Sequence, residues 1–362
     1  MSRMGKKKLL VREESMNDTT GKLDLQLDPE LVQAALALIE PAQRILLIAH
    51  ERPDGDCIGC ALGFAHILAM MGKTCVPACA DRPPNNLSFL PGIEGVQQTL
   101  HDTAFDLVIA LDAGEFRRFG SLYEQNQEFF DHAAVLNFDH HSTSDGCGQV
   151  NIIDPTSSAT AELLVLFQQQ AHLPLNLDAA LCLLTGIITD TSSFQFTNTT
   201  PRTLEAAALL LRAGAIPEQV VQPIYRTRPL AQVRFQAIVL ASAQTACAGR
   251  LVWAAADDAT LAAAGAIPEM DENTSGLLRD IEGVQVAAFL KSYGEPGITR
   301  LSLRCAAPYN AGEICLRISN GLGGGHPRAA GATFHLPIEE ATAYVVKELK
   351  KEIQEQERTG KG

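Results

Sequence analysis

Eight ionisable residues of this chain fall into four short clusters. His50, Asp54 and Asp56 lie in HERPDGD, Asp112 follows DLVIAL, Asp139, His140 and His141 form a triplet after AAVLNF, and Asp190 lies in GIITDTSS. Five of the eight are carboxylates, and like charges brought within a few ångströms of one another cannot all stay ionised. Divalent cations solve that problem. A mixed imidazole and carboxylate set suits Mn²⁺, with Mg²⁺ or Co²⁺ as related alternatives, rather than a thiolate zinc site, and the number of ligands points to two ions. Two ions about 3.5–4 Å apart can share a water, lower its pKa and neutralise the phosphoryl oxygens it attacks, which is the chemistry of phosphoester hydrolysis. Each piece alone has a plainer reading: an Asp after a strand caps a helix or forms a turn, and Asp-Gly is a turn dipeptide. Four clusters at successive element ends are poorly explained as independent caps.

The elements that must carry these residues follow one grammar. The apolar run 44–48 breaks at His50 and gives way to a helical pattern over 58–71, which reads as strand, loop, helix. Residues 106–111 and 133–138 are further apolar runs without alternation, and 159–170 and 177–188 read as helices, the latter running into Asp190. Apolar strands separated by helices predict a parallel sheet covered on both faces, with ligands at the carboxyl ends of its strands, where the clusters fall. Residues 201–246 read as mostly helical, and from 250 onward strand-like segments (LVWAAA, VQVAAFL, TRLSLRC) alternate with helical ones such as 275–281, so the second domain is α/β as well.

The 362 residues, 46% hydrophobic and 20% charged, suffice for two globular domains. A formal net charge of −13 argues against holding long nucleic acid through many phosphate contacts, and no apolar stretch reads as a membrane span or signal-peptide core. With nine cysteines, an odd number, the expected compartment is the reducing cytoplasm. Cys57 and Cys60 form a lone Cys-x-x-Cys, which reads as two small, semi-buried side chains at a helix start rather than a metal or redox motif.

The segments HERPDGDCIGCALG, LDAGEFRRFG, FDHHSTSDGCGQVNIIDPTSSATAELL, GIITDTSSFQFTNTTPRTL and GLGGGHPRAAG resemble, in order and spacing, the motifs of the DHH phosphoesterase superfamily with its DHH-associated C-terminal domain. The resemblance covers nearly the whole chain after residue 27. Within the superfamily it is nearest to the small RecJ-like oligoribonuclease and pAp phosphatase (nanoRNase) group. It implies a Rossmann-like parallel-sheet domain and a smaller C-terminal α/β domain, with the active site in the cleft between them. It further implies that His50, Asp54 and Asp112 hold one ion and that Asp56, Asp112, His140 and Asp190 hold the second. By the same resemblance His141 assists electrostatically or in proton transfer, Asp139 orients the neighbouring histidines, and His326 with the glycines before it approaches the substrate.

The glycines have a physical reading of their own: Gly323, Gly324 and Gly325 let the backbone pass close to a ligand and offer N–H groups to phosphate, with His326 and Arg328 adding positive character. The plainer reading is a glycine-rich turn. Arg304 is a second candidate anion anchor. The chain departs from the family pattern at Ala113, Cys57 and Cys60, none of them an expected ligand, and His66, His101, His132, His172 and His335 lie outside the motifs. The expected organisation is a tail over 1–27, a catalytic domain over 28–205, a mainly helical connection over 206–246, a substrate domain over 247–350 and a charged tail over 351–362.

An aromatic content of 6%, the acidic charge and the short sequence after the glycine motif favour short RNA oligonucleotides or nucleotide phosphates such as pAp as substrates over long single strands. The oligomeric state, a homodimer included, is left open. Hydrolysis of cyclic or linear dinucleotides (c-di-AMP, pApA) is the alternative activity, and a pyrophosphatase would need a basic clamp in place of Gly-Gly-Gly-His. A non-catalytic nucleotide sensor would typically have lost a ligand, whereas every expected ligand position is filled.

Overall fold

The computed structural model describes residues 27–358 and divides into two compact units between Thr227 and Arg228. The tail expected over 1–27 lies outside the described residues except for Leu27, as do the last four residues. The division falls inside the stretch read as a connection, because its first half packs with the preceding helices and its second half with the strands that follow.

The first unit runs α1 (Pro29–Ile39), β1 (Arg44–Ala49), α2 (Gly55–Met70), β2 (Thr74–Cys79), β3 (Leu107–Leu111), short helices α3 (Ser121–Glu124) and α4 (Gln127–His132), β4 (Val135–Asp139), β5 (Val150–Ile153), α5 (Thr160–Gln170), α6 (Leu177–Asp190), α7 (Pro201–Arg212) and α8 (Pro217–Val221). Its five strands form one wholly parallel sheet in the order β2-β1-β3-β4-β5. Both faces are covered. Ile45, Leu47 and Ala49 of β1 point into a core with α2, α5 and α6, while Leu46 and Ile48 point into a second core with Phe119, Leu122 and Phe130. Each buried Ile, Leu or Phe among them contributes about 1.5–3 kcal/mol by leaving water, and such burial on both faces is why these strands read as continuous apolar runs. In this strand order the chain goes to opposite sides of β1 after β1 and after β2, so the switch point lies between β1 and β3. His50 follows β1 and Asp112 follows β3.

Two strands were not apparent in the sequence. β2 is an edge strand interrupted by Pro77, which cannot donate to a ladder, and β5 has only 4 residues. Helix α2 begins earlier than its apolar pattern. Asp54 caps it, accepting from Asp56 N at 3.0 Å and Cys57 N at 3.1 Å, while Cys57 Sγ takes the N–H of Asp54 at 3.3 Å to complete a capping box. Helices α2 and α6 run antiparallel in close approach: a Cβ on Gly59 would meet Cys182 O at 2.5 Å, and one on Gly186 would meet Asp56 Oδ1 at 2.4 Å. Glycine at these points brings the start of α2, with Asp56, against the end of α6, with Asp190.

The second unit runs α9 (Leu230–Ala241), β6 (Gln244–Ala246), β7 (Leu251–Asp257), α10 (Asp258–Ala264), α11 (Thr274–Arg279), β8 (Val286–Ser292), β9 (Thr299–Cys305), α12 (Ala311–Ile318), β10 (Gly323–Gly325), β11 (Ala329–Phe334) and α13 (Ile338–Arg358). The six strands form a mixed sheet, β10-β11-β9-β8-β7-β6, antiparallel except for β7 with β8. Helices α12 and α13 cover one face, and α9, α10 and α11 the other. Helix α13 continues through the first 8 residues of the stretch read as a charged tail, with Ile353 packed into the core. Among the described residues no helix is long and apolar enough to cross a membrane.

Candidate metal centre

The carboxyl edge of the first unit's sheet brings together all eight residues of the four clusters. His50 Nε2 lies 3.3 Å from Asp112 Oδ2 and 3.8 Å from Asp54 Oδ2. His140 Nε2 lies 3.5 Å from Asp112 Oδ1, 3.2 Å from Asp190 Oδ2 and 4.0 Å from Asp56 Oδ2. Asp112 is thus shared, one oxygen toward each histidine. It adopts a left-handed backbone (φ 60°), held by its own N–H on Phe138 O at 2.9 Å and by Asn137 Nδ2, which donates to Ala110 O and Ala113 O on either side.

Both histidines are fixed in a tautomer that suits ligation. His50 Nδ1 is 2.8 Å from Glu51 O and His140 Nδ1 is 3.2 Å from Ser157 O. A carbonyl only accepts, so each Nδ1 carries a proton and each Nε2 is turned to the carboxylates. His141 is arranged differently. Its Nδ1 lies 2.7 Å from Asp139 Oδ1, which also accepts the His141 N–H at 3.1 Å, and 3.7 Å from Asp112 Oδ1. Its side chain is 40% exposed, so the ring faces solvent.

Asp56 is fully buried and accepts Thr160 N at 2.7 Å and Ala161 N at 3.0 Å, the first N–H groups of α5. Thr160 Oγ1 donates to Asp112 Oδ1 at 2.8 Å. Burial, with the nearby charges of Asp112 and Asp190, still pushes the Asp56 carboxyl well above its usual range, and burial with Asp112 and Asp54 pushes Asp190 up to about 6. Burial pulls the His140 imidazolium down, but the Asp190 hydrogen bond and the charges of Asp56 and Asp112 outweigh it and raise the group to about 10. Burial likewise opposes the charged form of Asp112, yet its hydrogen bond to His50 and the flanking imidazoliums hold it below the carboxylate range. The polypeptide alone offsets this crowding with protons, and divalent cations would do so instead. The donor set therefore fits metal: buried carboxylates, Nε2 atoms with fixed tautomers, and ligand atoms of His50, Asp54 and Cys57, of Asp56, His140 and Asp190, and of Asp112, His140 and His141 lying within 4.8 Å of one another in each trio.

Residues 44–187 match the model of the DHH family, N-terminal domain, and residues 251–355 that of the DHHA1 domain. A "bifunctional oligoribonuclease and PAP phosphatase NrnA" from Thermus thermophilus is 32% identical over 311 residues, 85% of this chain and 90% of the relative. This chain belongs to the DHH family. A further relative, a cyclic-di-AMP phosphodiesterase PdeA from Listeria monocytogenes, is 29% identical over 202 residues, 51% of this chain and 30% of that protein. The solved structure of an exopolyphosphatase-related protein from Bacteroides fragilis superposes with a TM-score of 0.80 at 21% identity, covering 90% of this chain and 96% of that one, and shows the same fold.

In the DHHA1 domain the glycine motif is a strand rather than a turn. Gly323–Gly325 pairs antiparallel with β11, and a tight turn follows in which His326 and Ala329 exchange N–H to C=O bonds at 2.9 and 3.2 Å. Two of the three glycines are required by packing: a Cβ on Gly323 would meet Ala332, Gly331 and Cys315 within 3 Å, and one on Gly325 would meet Ala329 and Ala330 within 3 Å. Gly324 alone has open space around its Cα. Arg304 lies opposite Ala329 in the β9–β11 register, with Arg328 adjacent in the turn, so the two residues lie at the same end of that ladder.

The DHH domain also contains groups that the motif reading assigned no role. Thr160 and Asn198 each bond a site residue or its backbone, Asn198 Nδ2 donating to both Asp190 O and Ser158 O at 3.1 Å, while Asn137 holds the carbonyls of Ala110 and Ala113 on either side of Asp112. Thr160 and Asn198 were visible only as polar residues inside the quoted motifs, and Asn137 only as the polar residue of the apolar run 133–138. Cys57 and Cys60 are fully buried rather than semi-buried, and Cys57 Sγ lies beside His50 and Asp54. Among the remaining histidines, His66 bonds Pro91 O and His132 bonds Glu128 O, both away from the centre.

Proposed function

We propose that this DHH enzyme is a two-metal-dependent phosphoesterase that hydrolyses short oligoribonucleotides to mononucleotides and removes the 3′-phosphate of pAp. The observation that carries the proposal is the shared Asp112, one oxygen facing His50 and the other facing His140, with further carboxylates on each side. In this reading His50, Asp54 and Asp112 hold one ion and Asp56, Asp112, His140 and Asp190 the other, with Mn²⁺ the best match to a mixed N/O set. When bound, the ions would supply Lewis acidity toward a phosphate ester and acidify a water. His141 then serves the substrate. Asp139 fixes its ring through Nδ1 and raises its pKa more than burial lowers it, which favours the proton-carrying form of a ring that is 40% exposed. Asp139 acts only through the histidine.

In the second unit, His326, Arg328 and Arg304 offer charge, and the Gly323, Gly324 and Gly325 backbone offers N–H groups, to the phosphates of a nucleotide. The acidic net charge and the similarity to a relative named for oligoribonucleotides and PAP support short substrates over long strands.

The test is release of mononucleotide or phosphate, with added Mn²⁺, from dinucleotide RNA, long RNA, pAp, cyclic di-AMP and pyrophosphate. Turnover of dinucleotide RNA and pAp well above the others is expected. A preference for cyclic di-AMP would replace this reading with the activity for which the Listeria relative is named, and metal and nucleotide binding without turnover of any substrate would make the chain a sensor.

A further inference from the structure

A second buried ionic cluster lies behind the metal centre and takes no part in the chemistry above. Arg202, in the first turn of α7, donates Nε to Glu162 Oε1 at 2.6 Å and Nη2 to Asp154 Oδ2 at 2.7 Å. Glu162 is fully buried, and its other oxygen accepts Ser158 N at 3.1 Å, Ser158 Oγ at 2.7 Å and Thr203 Oγ1 at 2.8 Å. Asp154 accepts Thr156 N and Thr156 Oγ1 on one oxygen and Ser157 Oγ on the other, and Arg202 Nη2 reaches Ser157 Oγ at 2.6 Å. One guanidinium therefore joins two buried carboxylates, and the three together bind nearly every polar group of the turn over 154–158.

That turn and the first residues of α5 are what the metal centre leans on. Ser157 O holds His140 Nδ1, Thr160 N and Ala161 N hold Asp56, and Thr160 Oγ1 holds Asp112. Asp190 joins through Asn198, whose amide bridges Ser158 O and Asp190 O. No described hydrogen bond ties His50 or Asp54 to this turn: His50 is held by Glu51 O, and Asp54 by N–H groups of α2.

We propose that Arg202 is a positioning residue chiefly for one of the two metal sites, setting His140, Asp56 and Asp190 through the turn it braces and bearing on the His50–Asp54 site only through the shared Asp112. The inference rests on the two-metal reading. Only a planar fork satisfies Glu162 and Asp154 at once, so Lys at this position keeps the charge but loses one of the two partners.

The experiment is Mn²⁺ titration of the whole protein by calorimetry and electron paramagnetic resonance for the wild type, Arg202→Ala and Arg202→Lys, with folding checked by circular dichroism. The expected result is two classes of bound Mn²⁺ in the wild type, one of them weakened ~10–100-fold in Arg202→Ala and by less in Arg202→Lys, with the other class weakened far less, through the shared Asp112 alone. Folded Arg202→Ala with both affinities intact, or with both weakened alike, overturns the proposal. If Arg202→Ala does not fold, Arg202→Lys decides by the same criterion. A wild type that binds no Mn²⁺ instead overturns the functional reading.

Discussion

The two sides of the proposed metal centre are built by opposite strategies. Apart from the shared Asp112, the His50 side comes from one short segment: His50 follows a strand, Asp54 caps the next helix, and Cys57 closes that cap. Its Asp54 side chain is 53% exposed. The His140 side is assembled from far apart, with Asp56 held by N–H groups 104 and 105 residues away and Asp112 by a hydroxyl 48 residues away. Its Asp56 and Asp112 carboxylates are deeply buried. The local side needs little beyond a strand-to-helix turn, while the remote side exists only if α2, α5 and α6 pack at the right distance. The first should tolerate change elsewhere in the domain, and the second should not.

The substitution with the largest expected effect ignores this difference. Asp112→Asn removes the one carboxylate common to both sides, so turnover should fall roughly 10³-fold or more and both Mn²⁺ affinities should drop. Loss of only one ion would show that Asp112 is not shared. His141→Asn comes next: kcat should fall roughly 10²–10⁴-fold with Mn²⁺ binding preserved, since this ring is placed to serve the substrate. Because His141 Nδ1 also lies near Asp112 and His140, loss of an ion in this variant would make it a ligand instead.

Asp54→Asn probes the local side alone. Asn is an equally good helix cap, so the fold should hold while one Mn²⁺ class weakens about 10–100-fold and the other stays. Equal weakening of both would erase the distinction between the sides. The smallest effect, counted for a single unit of pH, is the pH dependence. His140, raised to about 10, is protonated at neutral pH in the metal-free protein and must lose that proton to ligate, so Mn²⁺ affinity on its side should rise with pH by up to about tenfold per unit between pH 6 and 8. Calorimetry in buffers of different ionisation enthalpy should detect the released proton. An affinity flat across that range would contradict the raised imidazole.

Much of the fold was legible where local pattern and burial coincide. β1, β3 and β4 are buried on both faces, so their apolar runs stood out, whereas β2 carries Pro77 at an edge and β5 is too short to register. Asp54 and Asp56 read as loop residues, but they cap and open α2, because a helix start is set by its capping bonds rather than by its apolar period. The glycine run read equally well as a turn, and its pairing with β11 depends on a partner strand the local pattern does not specify.

What the sequence alone determined is the inventory: residue types able to hold metal, their placement at the ends of successive elements, and a parallel α/β frame that presents such ends at one edge. The tertiary structure alone decided which groups hold which. The left-handed turn at Asp112, the reach of Thr160 across to it, and the bracing of the 154–158 turn by Arg202 all join segments tens of residues apart. Periodicity reports which face of an element is buried, whereas a hydrogen bond between distant residues depends on packing distances that glycines such as Gly59 and Gly186 set to within an ångström.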